Sequence, residues 1–206
     1  MRPVLLATTN ANKVREVRAL LRDVPAQLLT LADVPPRAEP EETGDTFEAN
    51  ARLKARYYAA GWAGLVVSED SGLEIDALHG EPGVRSARYL SPEATYGERF
   101  ADIFRRLDGV PEAQRTARFV CALAVADGPS VCFETRGVIE GRIAHTPAGT
   151  SGFGYDPIFV YPPFGCTLAE AGPRKDTVSH RAQAAGAFAR WLRDLEYART
   201  PPHASR

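Results

Sequence analysis

Lysine and asparagine are nearly missing from this chain of 206 residues. Three lysines, Lys13, Lys54 and Lys175, stand against 22 arginines, and the asparagines are Asn10, Asn12 and Asn50. A solvated cation tolerates arginine, so positions that keep a compact ammonium point to a geometric need. Net charge is also small, at -1, which excludes a global positive field for a nucleic-acid polymer or an anionic membrane. Long apolar runs are lacking. Residues 4–7 are too few for a signal-peptide core or a membrane span, and no later stretch reaches about 18 apolar residues. A soluble, cytoplasmic protein is expected. The cysteines, Cys121, Cys132 and Cys166, are odd in number and lack CxxC spacing, which excludes a disulfide framework or a zinc cluster. Cys121 and Cys132 stand in apolar surroundings and are expected in the core.

What is present is a globular composition, 44% hydrophobic and 25% charged, which excludes a disordered chain. The pattern predicts a strand over 3–8 and a helix over 11–21, capped by Asn10. A short strand over 27–31, a proline-rich loop and a helix over 45–60 follow. Residues 65–68 and 73–77 read as the arms of a hairpin around SEDSG. Ser91-Pro92 predicts a helix start, running to residue 107. Residues 117–126 and 131–143 form an antiparallel pair, 157–161 one more strand, and 177–197 a closing helix with Phe188, Trp191, Leu192 and Leu195 on its apolar face. The order is mixed α/β. We expect a single domain over 1–198 and a flexible tail over 199–206.

Five blocks carry chemistry. TTNANK (8–13) lies at a strand-to-helix junction, where free N–H groups and a lysine favour phosphate, although the Walker glycines are missing. In EETGDTFEANARLKA (41–55), Phe47, Asn50 and Lys54 share one helix face, and Glu42 precedes it in a loop suited to a metal-binding carboxylate. SEDSG (68–72) ends a buried strand with Glu69 and Asp70, whose side chains point to opposite faces. Mg²⁺ takes one or two carboxylates plus phosphates and water, and a nearby carboxylate can serve as general base. GTSGFGYDP (149–157) sets Phe153, a flat stacking surface, between glycines. RKDTVSHRAQA (174–184) brings Lys175, Ser179, His180 and Arg181 to a helix start, where His and Arg can donate to a carbonyl. Each block alone also fits a bland role: a capped surface helix, a solvated acidic loop, an acidic turn or a glycine-rich connection.

Together, TTNANK, EETGDTFEANARLKA, SEDSGLEIDALHGEPGVRSARY, GFGYDPIF and SHRAQA resemble the inosine triphosphate pyrophosphatase family, the dITP/XTP pyrophosphatases, in order from residue 8 to residue 184. The resemblance implies an elongated mixed β-sheet flanked by helices, with two lobes and a central active-site cleft. It implies Mg²⁺-dependent hydrolysis of ITP, dITP and XTP to the monophosphate and pyrophosphate, and a homodimer. Thr8, Thr9, Asn10, Ala11, Asn12 and Lys13 would hold the triphosphate together with Lys54. Glu42, Glu69 and Asp70 would bind Mg²⁺, and Asp70 would activate water. Ser71 would touch the substrate. Phe153, Gly154, Tyr155 and Asp156 would stack on and border the base. Lys175, His180 and Arg181 would read its 6-oxo group. The segment before Lys175 is one residue shorter than the family pattern, with Cys166 where lysine is common, so Arg174 is expected to share the role of Lys175. Two alternatives are a Maf-like nucleotide pyrophosphatase, disfavoured by the Phe153 block and the His180-Arg181 pair, and a non-catalytic nucleotide sensor, disfavoured by the intact carboxylates.

Overall fold

The computed structural model describes residues 2–24 and 26–199, with side chains through residue 195. A seven-stranded mixed sheet forms its centre. In chain order the strands are β1 (Val4–Leu6), β2 (Leu28–Thr30), β3 (Leu65–Ile75), β4 (Thr116–Asp127), β5 (Ser130–Ile143), β6 (Phe159–Tyr161) and β7 (Cys166–Thr167). Their spatial order is β2-β1-β3-β4-β5-β6-β7. β1 runs parallel to both β2 and β3, and every later pair is antiparallel. The helices are α1 (Ala11–Leu20), α2 (Phe47–Ala59), α3 (Tyr96–Arg106), α4 (Leu168–Ala171) and α5 (His180–Arg199).

Strand alternation divides the core. Leu65 and Val67 of β3, with Cys121, Leu123 and Val125 of β4, pack against Val17 of α1 and Phe188 and Leu192 of α5. Val66, Ala122, Ala124 and Ala126 face the other way, onto Phe47, Ala51 and Ala55 of α2. The alanines on that side let α2 approach the sheet closely. A third cluster joins Leu73, Ile75, Phe119 and Ile139 of the long strands to Ile103 of α3 and Leu168 of α4. The expected apolar face of the last helix is found, with Trp191 and Leu195 packed at the edge of the first cluster.

Five expectations change. The hairpin around SEDSG is one continuous strand, because all of 65–75 pairs with 117–127 of β4. Gly72 marks a close approach, not a turn: a Cβ there would meet Ser86 Oγ at 2.4 Å and Gly83 O at 2.6 Å. The third helix begins at Tyr96, where Thr95 and Glu98 form a reciprocal capping box, and not at Ser91-Pro92. The last helix begins at His180, after a 3-10 segment over Gly172–Thr177. Cys121 is buried as expected, but Cys132 is exposed. Arg199, expected in the tail, ends α5, and the rest of that tail, 200–206, lies outside the described residues.

Candidate active site

β1 stops at Leu6, opposite Val67, while β3 runs on for eight more residues to Ile75. The edge of β3 that β1 leaves unpaired therefore opens beside the carboxyl end of a parallel strand, where α/β sheets place their ligand crevices. A cleft of about 780 Å³ lies there. Thr8, Thr9, Asn10 and Lys13 line it, as do Glu42, Lys54, Asp70 and Ser71 from the middle of the chain, and Phe153, Gly154, Tyr155, Asp156, Lys175, His180 and Arg181 from its end. All three lysines of the chain thus meet in one cleft. Ala11, Asn12 and Glu69 are not among the lining residues.

The first wall is the start of α1. Asn10 caps it, its side-chain oxygen accepting from the backbone N–H groups of Asn12 and Lys13 at 3.0 and 3.2 Å. Asn12 thus contributes its backbone to the cap. Thr9 donates to Glu39 at 3.3 Å.

The second wall joins α2 to the inward face of β3. Asn50 Nδ2 donates to Asp70 Oδ2 at 3.0 Å, while its oxygen accepts from Gly44 N at 2.8 Å. Lys54 Nζ sits 2.5 Å from Glu42 Oε1 and 3.7 Å from Asp70 Oδ1. Arg88 reaches the other oxygen of Glu42 at 3.0 Å. Burial pushes the Asp70 carboxyl above the ordinary aspartate range, with Lys54 pulling it back and Glu42 adding to the rise. Burial acts on Glu42 in the same sense, but the Lys54 charge and its hydrogen bond outweigh it, so this carboxyl is held down.

The third wall comes from α5, α1 and the glycine-rich segment. Arg181 is 2% exposed. Its Nε donates to both oxygens of Glu69 at 3.0 and 2.9 Å, Nη1 to Glu16 at 2.5 Å and Nη2 to Ser71 Oγ at 3.0 Å. Lys175 Nζ donates to Glu16 at 3.0 Å and to Asp156 at 2.7 Å. Asp156 also accepts from Phe153 N at 2.9 Å, fixing the turn that carries the aromatic ring. Lys175 Nζ and the Arg181 guanidinium stand 4.9 and 5.5 Å from that ring's centroid. Tyr155 points away, donating to Ser86 O at 2.9 Å. His180 stacks on Phe119 at 4.9 Å, and burial together with the Arg181 charge keeps its imidazole neutral, far below its usual pKa. Its Nδ1 is buried without a hydrogen-bond partner among the described residues. α5 reaches this position because β5 carries Gly137, where a Cβ would lie 2.0 Å from His180 O.

Glu69, expected with Glu42 and Asp70 at the metal, sits in different surroundings from those two. Burial works to raise its carboxyl, but Arg181, then Lys13 at 3.5 Å, then hydrogen bonds from Cys121 and Arg181 hold it well below the usual range. Both oxygens are occupied by these partners, and, unlike Glu42 and Asp70, Glu69 does not line the cleft where a cation would meet the phosphates. Glu42 and Asp70 fit a cation: they already converge on one positive charge, the Lys54 ammonium. Among the described residues no cluster of three or more His, Cys, Asp or Glu side chains forms a cage. Two carboxylates completed by phosphate oxygens and water match the way Mg²⁺ is held. Arg174 lies over the Phe164 ring with Nη2 3.7 Å from Cys166 Sγ, so the shortened segment delivers Lys175, not Arg174, to the cleft.

Several contributors escaped the sequence reading. Glu16 lies three residues after Lys13 on α1, a spacing that shares a helix face, but its partners are 159 and 165 residues away. Arg88 lies inside the motif GVRSARY. Cys121 carries no sequence signal beyond its apolar neighbours.

The Ham1 family model matches residues 4–191. The dITP/XTP pyrophosphatase of Geobacillus kaustophilus is 45% identical over 185 residues, 89% of this chain and 91% of that protein. The protein of the same name from Nostoc sp. is 44% identical over 188 residues, covering 90% and 91%. A HAM1 protein structure from Coxiella burnetii superposes with TM-score 0.85 at 37% identity, covering 94% of this chain and 100% of that one. A family match across nearly the whole chain, close curated relatives and a shared fold agree with the motif resemblance: the chain belongs to the Ham1 family.

Proposed function

We propose that this chain hydrolyses non-standard purine nucleoside triphosphates, ITP, dITP and XTP, to the nucleoside monophosphate and pyrophosphate. The names of its relatives support the reaction. The observation that carries it is the convergence of the chain's three lysines on one cleft, each paired with a carboxylate. Such a cleft suits a ligand with about four negative charges at one end and a neutral carbonyl at the other.

At the phosphate end, the capped N-terminus of α1, Lys13 and Lys54 hold the triphosphate. Asp70 accepts the proton of the attacking water, and its raised pKa favours that role. Asn50 holds one Asp70 oxygen, and the other, which accepts from Ser71 N at 3.1 Å and faces Lys54 at 3.7 Å, takes the proton of the water through its second lone pair. Attack on the α-phosphorus forms one P–O bond and breaks the bond to the bridging oxygen, so pyrophosphate leaves. Glu42 and Asp70 would hold Mg²⁺, which supplies charge neutralisation at the phosphates. At the base end, Phe153 stacks on the ring while Arg181, Lys175 and His180 face the 6-oxo group. Adenine presents a donor there, leaving buried donors unpaired at roughly 1–3 kcal/mol each.

Residues 1–198 act as one domain in this reading, in the cytoplasm and as a homodimer, which light scattering of the purified protein tests. Among the described residues no helix is long and apolar enough to cross a membrane. The functional test compares ITP with ATP at equal Mg²⁺. Faster turnover of ITP, by about 100-fold or more in kcat/KM, is expected for a site that reads a hydrogen-bonding group. Equal rates would contradict the assignment.

A further inference from the structure

Adjacent residues of β3 serve opposite walls of the cleft. Asp70 shares its face with Ala122 and looks towards Asn50 and Lys54. Glu69 and Ser71 share the other face with Cys121, which pairs with Ser71 across the strands. This register puts the Cys121 thiol diagonally against Glu69, and Sγ donates to Oε2 at 2.8 Å. Cys121 is 0% and Glu69 5% exposed. The same carboxylate receives Nε of Arg181 on both oxygens, while Nη1 and Nη2 of that arginine are fixed by Glu16 and Ser71. Arg181 is thus clamped on three sides, and of the two clamps that the sheet itself supplies, Glu69 and Ser71, Glu69 is the charged one.

We propose that Glu69, braced by the Cys121 thiol, is a positioning residue that aims Arg181 at the base and takes no part in holding the divalent cation. The proposal rests on the reading of the cleft as a purine nucleotide site. It divides the acidic pair by strand alternation: Asp70 works on the phosphates, and Glu69 works on the base through Arg181, while its 3.5 Å ion pair with Lys13 acts on the phosphates of ITP and ATP alike and so leaves their ratio to Arg181. The thiol matters as a donor. It fills the position of a small apolar residue on the α5 side of the sheet while satisfying a lone pair of a buried carboxylate.

The test uses the full chain as E69Q, C121V, C121S and D70N, with folding checked by circular dichroism. E69Q keeps the shape but loses the paired charge. It should lower the ITP-to-ATP ratio of kcat/KM by about tenfold or more, chiefly through KM for ITP, as loss of a charged hydrogen bond implies. Mn²⁺ binding, read by electron paramagnetic resonance on the protein alone, should stay within about twofold of wild type in E69Q and weaken at least about tenfold in D70N. C121V should raise KM for ITP, and C121S, which restores a donor, should recover most of the loss. Mn²⁺ binding weakened by E69Q as much as by D70N, or an unchanged base preference in E69Q, or no difference between C121S and C121V, would overturn the proposal. If wild type fails to turn over ITP, the functional reading fails by itself. The Mn²⁺ comparison and the Arg181 Nε–H resonance, expected to shift in both E69Q and C121V, then still decide the role of Glu69, and a resonance unmoved by E69Q counts against it.

Discussion

Lysine in this chain is a residue of confined spaces. Lys54 is 6% and Lys175 3% exposed, and each ammonium meets two carboxylates. An ammonium satisfies several acceptors from one point, whereas a guanidinium spreads its donors over a planar fork. Lys175→Arg would force the larger group between Glu16, Asp156 and the Phe153 ring. We predict a loss of about 10- to 100-fold in kcat/KM for ITP, the scale that misplacement by about 1 Å carries. Steady-state kinetics check this, and wild-type values would return the lysine scarcity to composition alone. The sequence made this legible because scarcity and motif coincided. It hid Glu16 and Cys121, whose roles arise only when α1, α5 and β4 meet at Glu69 and Arg181.

At the scale of elements, the strands and helices were readable wherever a hydrophobic period ran unbroken. Gly72 and Pro92 misled for opposite reasons. Gly72 has the look of a turn but is small because the Gly83–Arg88 segment presses on β3. Pro92 has the look of a helix start, but the Thr95 and Glu98 capping box a few residues later sets the boundary. Gly137 shows the same logic at the site. Its missing Cβ lets the first turn of α5 lie on β5 with His180 O in the space. Gly137→Ala should displace that turn, lower stability by about 1–3 kcal/mol through overpacking and raise KM for ITP. Urea unfolding and kinetics on one variant test both, and a variant that is neutral in both would show that α5 has freedom the packing does not display.

For the whole molecule, the cleft imposes a cost in acid. Burial and the neighbouring Arg181 hold His180 neutral in the folded protein, far below the 6.5 of a free imidazole. The unfolded chain binds a proton there from about pH 6.5 downwards while the folded chain does not, so this residue removes stability as pH falls through that window. His180→Gln should therefore flatten the fall of the urea midpoint between about pH 7 and 5 relative to wild type. Parallel curves would mean that His180 takes up its proton in the folded state. The mixed α/β class was legible from element order. The placement of the cleft was not, since it depends on β1 ending at Leu6 while β3 continues beside it.

In the proposed reaction the cleft directs water at the α-phosphorus. Hydrolysis of ITP in ¹⁸O-labelled water, with both products read by mass spectrometry, tests it most directly. One labelled oxygen in IMP and unlabelled pyrophosphate are expected. Label in pyrophosphate, or release of labelled orthophosphate, would contradict it.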